Sequence, residues 1–229
     1  MIIGKGMIAT ALQSIDSDEV CFFASGVSSS NIDNKIEFDR EKELLETTLD
    51  KYSNASIFIY FSSCGIEFET TPYFSHKQNM EKMVANRAKK YYIFRLPQVV
   101  GHGGNRNTLF NYLVNQVKKE KEIEIWKNVR RNLIDIDDVV DIIKQIISNN
   151  IEMNSIINIA SPFNVSILEI IRNIEAISNI KTTYTLVEKG QAIDVDICEL
   201  SKIVDIDTVF KSKDIYLQNL IKKYHKEII

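Results

Sequence analysis

Three residues in the first third of the chain have the types and spacing for carbonyl–alcohol chemistry. Ser62-Ser63 ends an apolar run, Ile57 to Phe61, and Tyr73 and Lys77 follow. Tyr-x-x-x-Lys at i and i+4 puts both side chains on one face of a helix. An ammonium beside a phenol favours the phenolate and lowers its pKa toward neutrality. Such a Tyr passes a proton to a forming alkoxide or takes one from an alcohol. A Ser hydroxyl at a strand end can hold the carbonyl oxygen. A surface Tyr and Lys that happen to lie four apart is the competing reading.

A second motif lies upstream. Gly4-Lys5-Gly6-Met7-Ile8-Ala9 stands between the apolar start Met1-Ile2-Ile3 and a helix-like stretch from Ile8 to Ile15. In a G-x-G-x-x-A turn the first glycine allows the tight bend and the second lets a pyrophosphate approach the backbone. The third position needs a small side chain for close helix–strand packing. The N–H groups at the helix start, here on Lys5, Gly6, Met7 and Ile8, then face the anion. A tight turn with no ligand is the other reading. The acidic residue that usually holds the adenosine ribose is missing: about 20 residues on stands Ala24-Ser25-Gly26. Either the cofactor is NADP rather than NAD, or that part of the fold has been rebuilt.

The elements around these motifs alternate. Glu19 to Ala24, Ile57 to Phe61 and Tyr91 to Leu96 read as buried strands, and Phe38 to Tyr52 and Tyr73 to Ala88 as helices. In the first helix Phe38, Leu45, Thr48, Leu49 and Tyr52 share a face, with charges opposite. Contiguous apolar strands alternating with helices imply a parallel sheet covered on both faces, an α/β doubly wound architecture. The second half is less regular. It offers helices at Thr108 to Lys119, Asp137 to Ser148, Ser166 to Ser178 and Asp214 to Ile228, and strand-like segments at Ile123 to Trp126 and Ile156 to Ala160.

Composition excludes several classes. The 229 residues are 45% hydrophobic and 26% charged with a net charge of -3, so no basic excess marks a nucleic-acid surface or a membrane patch. No apolar run is long enough to span a bilayer and no signal peptide opens the chain. Cys21, Cys64 and Cys198 have no metal-ligand or CxxC spacing, which suits free thiols in a reducing cytoplasm. Cys64 reads as a packed thiol beside the site. Asp135, Asp137 and Asp138 read as helix caps, not metal ligands, and His76 as an orienting or exposed residue. The loop Gly101 to Asn105 should border the substrate, with Trp126 in the core or walling the substrate pocket.

Taken together, the chain resembles an extended short-chain dehydrogenase/reductase of the NAD-dependent nucleotide-sugar epimerase, dehydratase and reductase branch, in shortened form. The matching stretches are Gly4 to Ala9, Ile59 to Ser63, Tyr73 to Lys77 with Glu81, Arg95 to Gly101, Arg131 to Val139 and Ile157 to Ala160. The resemblance implies a Rossmann-like domain over residues 1–160, with 105–131 contributing to a small substrate lobe at 161–229. It implies Ser63 polarising the carbonyl, Tyr73 as acid/base, and Lys77 also holding the nicotinamide ribose. Leu96, Pro97 and Val99 would line the nicotinamide end. Arg131, expected on a loop, would face the diphosphate of a nucleotide-sugar substrate, with an ion pair to Asp135 or Asp137 as the alternative. Cys64 and Asn105 are further substrate-side candidates.

The chain is short for that branch. Glu19 to Val27 resembles the family's fourth strand, which leaves strands two and three missing. Alternatively it is strand two, Lys35 to Asp39 is strand three, and strand four is lost. On the first reading the adenosine pocket is reduced, and Ser25, Ser28 and Ser29 lie near the cofactor at the switch point. The activity implied is NAD(P)-dependent reduction of a nucleoside-diphosphate-linked keto-sugar for surface polysaccharide. An epimerase and a non-catalytic dinucleotide-binding sensor or scaffold are the alternatives. Ser63 to Glu67 lacks the Thr-Asp-Glu that a 4,6-dehydratase of this branch uses. The resemblance further implies a homodimer through the helices Phe38 to Tyr52 and Tyr73 to Ala88. Met80, Met83, Val84, Leu44, Leu45 and Leu49 supply the apolar surplus for that contact.

Overall fold

The computed structural model describes residues 1–27, 35–52, 57–103, 108–149 and 153–225. Asn105, Ser28 and Ser29 lie outside the described residues. Five strands, β1 (Ile2–Ile3), β2 (Val20–Phe23), β3 (Ile57–Ser63), β4 (Tyr91–Leu96) and β8 (Ser155–Asn158), form one sheet in the order β1-β2-β3-β4-β8. Every pairing in it is parallel. Between them come α1 (Met7–Ala11), α2 (Lys35–Tyr52) and α3 (Pro72–Arg87), then β5 (Gln98–Val100), α4 (Leu109–Lys118), β6 (Ile123–Trp126), β7 (Arg130–Asp135) and α5 (Ile136–Ser148). After β8 the chain forms β9 (Asn164–Ser166), α6 (Ile167–Ser178), β10 (Tyr184–Val187), α7 (Cys198–Ile203), α8 (Ile206–Val209) and α9 (Lys213–Tyr224).

The apolar strands are contiguous because both of their faces are covered. Phe22, Ile59, Phe61 and Phe94 pack with Val139, Ile142, Ile143 and Ile146 of α5. Cys21, Phe23, Phe58, Tyr60 and Ile93 pack on the other side with Leu45 and Leu49 of α2 and Met80 and Val84 of α3. Full burial of each such side chain contributes about 1.5–3 kcal/mol. A separate cluster gathers α4, α6 and α9 with Ile123 and Ile125 of β6.

The strand order bears on the shortening. A second strand of the family type would sit on the far side of β1 from β3. Instead β2 lies between β1 and β3, the place of the family's fourth strand. Among the described residues nothing pairs with the outer edge of β1, where the adenosine-side strands would stand.

One expectation fails. Arg131 stands in strand β7, not on a loop: β7 runs parallel to β5 and antiparallel to β9. The charged pair that opens Arg130-Arg131-Asn132-Leu133 hid a strand whose partners are remote in sequence.

Candidate active site

In a parallel sheet all carboxyl ends share one edge, where ligands of open α/β folds sit. Here that edge carries the Gly4 turn after β1, Ala24 to Val27 after β2, Ser62-Ser63 at the end of β3 and Leu96 at the end of β4 with Pro97 after it. Thr71 caps α3, its hydroxyl accepting from the Phe74 N–H at 3.3 Å, with Pro72 in the first turn. This start places Tyr73 and Lys77 in the first two turns.

The turn has the form a dinucleotide needs. Gly4 has φ +140, and a Cβ there would lie 2.3 Å from the Ala24 carbonyl oxygen, so only glycine fits. Ala9 is buried, and its Cβ lies 3.3 Å from that same point. At Gly6 a Cβ would meet nothing within 4 Å, which leaves the backbone open to an approaching phosphate. Met7 and Ile8 turn their side chains to the core, so they would act through backbone N–H groups. Lys5 is exposed and Ser25 is half-buried. Leu96 is a core residue, while Pro97 and Val99 stay partly exposed.

Tyr73 is half-buried and its ring meets Phe74 edge-on at 5.1 Å. Burial raises its pKa, the Lys77 charge opposes that rise, and Glu41 adds to it. The net direction is the reverse of the expected lowering. The reason is burial of the phenol, which outweighs the lowering by Lys77, whose Nζ lies 6.0 Å from the Tyr73 ring centre. Lys77 donates to Glu41 Oε1 at 2.9 Å, to the Tyr60 hydroxyl at 3.0 Å and to the Phe61 carbonyl at 3.4 Å.

Glu41 is the residue that sequence reasoning missed. It is completely buried on α2, on the stripe of Leu45, Thr48 and Leu49. Its Oε1 accepts from Tyr60 at 2.7 Å and its Oε2 from the Val27 N–H at 2.9 Å. His76 Nε2 lies 3.1 Å from Oε2 and its ring stacks on Phe38, so His76 is an orienting residue. An ionised carboxylate only accepts, so Nε2 carries the proton. Burial pushes Glu41 upward, but the Lys77 charge and the bonds from His76, Lys77 and Tyr60 outweigh it. They hold the carboxyl well below the usual range. The signal was available: a carboxylate seven positions before Thr48 and four before Leu45 lies on the buried face.

Ser63 Oγ accepts from the Gly65 N–H at 3.2 Å, and its own proton stays available to donate. Ser62 is buried, its Oγ has no partner among the described residues, and by strand alternation it shares the face of Tyr60. Cys64 is packed: Sγ donates to the Arg95 carbonyl at 3.3 Å and burial pushes its pKa up to about 12. Arg95 clasps Glu81 at 2.8 and 2.7 Å and Glu67 at 2.9 Å, tying α3 to β4 and to the turn after β3.

Arg131 is half-buried and makes no salt bridge among the described residues; it donates to the Arg130 carbonyl at 3.0 Å. The acids proposed as its partners are taken. Asp135 binds Lys223 and Tyr224, and Asp137 binds Lys223. Asp135 also caps α5, accepting from the Asp137 N–H at 3.0 Å. With Leu109, Tyr112, Glu124, Trp126, Val129 and Ile167, Arg131 lines a pocket of about 170 Å³.

The model of the NAD dependent epimerase/dehydratase family matches residues 7–160. The chain belongs to that family. Among solved structures it is similar to RMD from Pseudomonas aeruginosa complexed with NADPH, at 14% identity and a TM-score of 0.75, covering 92% of this chain and 82% of that one. It is also similar to the UDP-N-acetylglucosamine 4-epimerase of Methanobrevibacter ruminantium M1 in complex with UDP-N-acetylmuramic acid, at 15% identity and a TM-score of 0.74, covering 95% and 80%. A third is the dTDP-glucose 4,6-dehydratase of Bacillus anthracis in complex with NAD, at 13% identity and a TM-score of 0.68, covering 91% and 73%. No curated protein matches the sequence. The family is NAD dependent, and the open Gly6 turn fits a dinucleotide. Lys77 fits less well: three acceptors inside the protein already hold its ammonium.

Proposed function

We propose that the protein is an NAD(P)-dependent reductase of a nucleoside-diphosphate-linked keto-sugar, serving surface polysaccharide synthesis. The observation that carries the reading is the placement of Tyr73 in the first turn of α3 and of Ser63 at the end of β3, on the sheet edge that also carries the open Gly4 to Ala9 turn. A Tyr hydroxyl there can give a carbonyl oxygen its proton, which is what ketone reduction needs. The bound dinucleotide supplies the hydride. Tyr73 delivers its hydroxyl proton to the carbonyl oxygen, and the Ser63 hydroxyl donates to the same oxygen and orients it. The nucleotide end goes to the Arg131 pocket, where the guanidinium meets diphosphate oxygens and Tyr112 and Trp126 flank the base or sugar. Several solved relatives bind UDP-sugars, which supports that class of substrate. Ser63-Cys64-Gly65-Ile66-Glu67 lacks the acid/base set of dehydration.

A homodimer through α2 and α3 is part of this reading, but on fewer residues than the sequence suggested. Leu45, Leu49, Met80 and Val84 are consumed by the protein's own core. Leu44 and Met83, half-buried, and Ile36, exposed, remain for a partner.

The test is oxidation of NADH and NADPH, followed by the loss of reduced-nicotinamide absorbance, against UDP-, dTDP-, GDP- and CDP-linked 4-keto-sugars. Turnover with one of them is expected. Interconversion of nucleotide hexoses with no net use of reduced cofactor would assign an epimerase. Cofactor binding with neither activity would leave the sensor.

A further inference from the structure

The pocket of Arg131 carries two opposite charges that do not meet. Glu124 and Arg131 both line it, yet Arg131 makes no salt bridge among the described residues. We propose that Glu124 selects the nucleobase of the substrate: its carboxylate accepts from the two adjacent N–H groups of guanine, so that the pocket takes a GDP-linked sugar. The proposal rests on the reading of this pocket as the nucleotide site.

The strand sets the geometry. Along β6 the side chains alternate: Ile123 and Ile125 are buried in the core with α4 and α6, while Glu124 and Trp126 are exposed. β10 runs parallel beside them, with Thr185 opposite Glu124 and Val187 opposite Trp126, and holds the segment extended. Glu124 Oε1 accepts from Trp126 Nε1 at 2.8 Å, which fixes the carboxylate beside the indole. Each oxygen of an ionised carboxylate accepts more than one hydrogen bond, and Oε2 makes none among the described residues. Both oxygens therefore keep acceptor positions for a ligand. Two exposed aromatic side chains, Tyr112 and Trp126, offer ring faces to a planar base in the same cavity. The Lys189 ammonium lies over the indole at 5.7 Å and takes one of its faces, which leaves the other. Stacking accepts every base, since each has a π-face, so the choice falls to the hydrogen-bonding edge. On that edge guanine presents N1–H and an N2 amino group side by side, a match for two carboxylate oxygens. Uracil and thymine present one N–H between two carbonyl oxygens. Cytosine and adenine present one amino group beside a ring nitrogen that accepts. A carboxylate set against any of these four meets at least one lone pair. The Glu124 charge also repels phosphate oxygens, so the diphosphate goes to Arg131 and the base to Glu124.

The experiment is calorimetric titration of the full chain with GDP, ADP, CDP, UDP and dTDP. It involves no turnover, so it stands apart from the reductase assay. GDP is expected to bind about tenfold or more tighter than UDP and dTDP, the usual worth of a hydrogen bond to a charged group set against an unmatched one. Glu124→Gln keeps the shape and an acceptor for Trp126 Nε1, but its amide offers one acceptor and one donor group. In that variant GDP should weaken and UDP should gain, until the two lie within about threefold of each other. Arg131→Ala should weaken all five ligands and leave their order as it was. Another nucleoside diphosphate binding as tightly as GDP overturns the proposal and leaves the pocket a nucleotide site. An undiminished preference for GDP in Glu124→Gln assigns the selection to another group and overturns it as well. Failure of all five to bind overturns the nucleotide reading of the pocket, and the proposal with it. Should the variant not fold, the order of affinities in the wild type decides.

Discussion

Tyr216 of the last helix donates to Asp138 Oδ2 at 2.6 Å, and its hydroxyl oxygen accepts the Asp135 N–H at 2.8 Å. One phenol thus ties α9 to the first turn of α5 across 78 positions of chain. Lys223 and Tyr224 add contacts from α9 to Asp135. The aspartates that cap α5 are therefore also the anchor of the C-terminal helix.

This anchor makes stability pH-dependent. Burial raises Asp138 from 3.8 to about 6, against the lowering effect of the Tyr216 bond. Between those values the folded protein keeps a proton that the unfolded chain has released. Stability from this group therefore falls as pH rises from about 4 to about 6, and stays reduced above. Asp138→Asn removes the cost and still offers Tyr216 an acceptor. With allowance for partial exposure, the variant should gain on the order of 1 kcal/mol at neutral pH, or about 2–4 °C in Tm. Melting curves at pH 4 and pH 7.5 check it: the gain should be present at the higher pH and gone at the lower.

Tyr73→Phe should lower ketone reduction by roughly a hundred- to ten-thousand-fold, the usual worth of general acid help. The ring contact with Phe74 survives, so Tm should stay within about 2 °C of the wild type. Near wild-type turnover would take Tyr73 out of the mechanism.

Ser63→Ala and Ser62→Ala should behave oppositely. Ser63→Ala removes the donor to the carbonyl oxygen, a loss typically worth about a hundredfold or more in kcat. Ser62→Ala removes a buried hydroxyl that has no partner among the described residues, which should leave stability unchanged or improved. It should also leave turnover near wild type. The reverse pattern in steady-state rates would move the carbonyl contact to Ser62.

Much of this architecture can be read from local pattern. The strands around Phe22, Tyr60 and Ile93 are apolar runs, and the capping box of α6 is written as Ser166 and Glu169. Residues close in sequence carried those signals. What stayed hidden depends on distant partners. Strand β7 pairs with β5 and β9 and looks charged at its start. The helical pattern puts Glu41 on the buried face of α2, but its partners Tyr60, His76 and Lys77 arrive from other elements. For the same reason the Tyr73–Lys77 spacing correctly marks a shared helix face, yet does not say where the ammonium points.

Arg131 offers the sharpest test of the substrate class. Burial lowers its pKa somewhat and the nearby Glu69 charge raises it. It remains an ionised guanidinium, because arginine does not lose its proton in a protein. Such a group, half-buried and without a salt bridge among the described residues, is poised for an anion. The apolar neighbours Leu109, Trp126 and Ile167 strengthen that preference, since a charge-assisted bond is worth more away from water, and Glu124, which also lines the pocket and accepts from Trp126 Nε1 at 2.8 Å, opposes it. Losing one such contact should cost about 1.5–3 kcal/mol of binding. Arg131→Ala should therefore raise the sugar-nucleotide Kd at least tenfold and leave NAD(P)H affinity unchanged. Arg131→Lys should recover only part of the loss, because a single ammonium cannot meet two phosphate oxygens in the plane of a guanidinium. Calorimetric titration with the free nucleoside diphosphate measures this without any turnover. Equal binding by wild type and Arg131→Ala would move the diphosphate elsewhere and leave Arg131 a structural residue of β7.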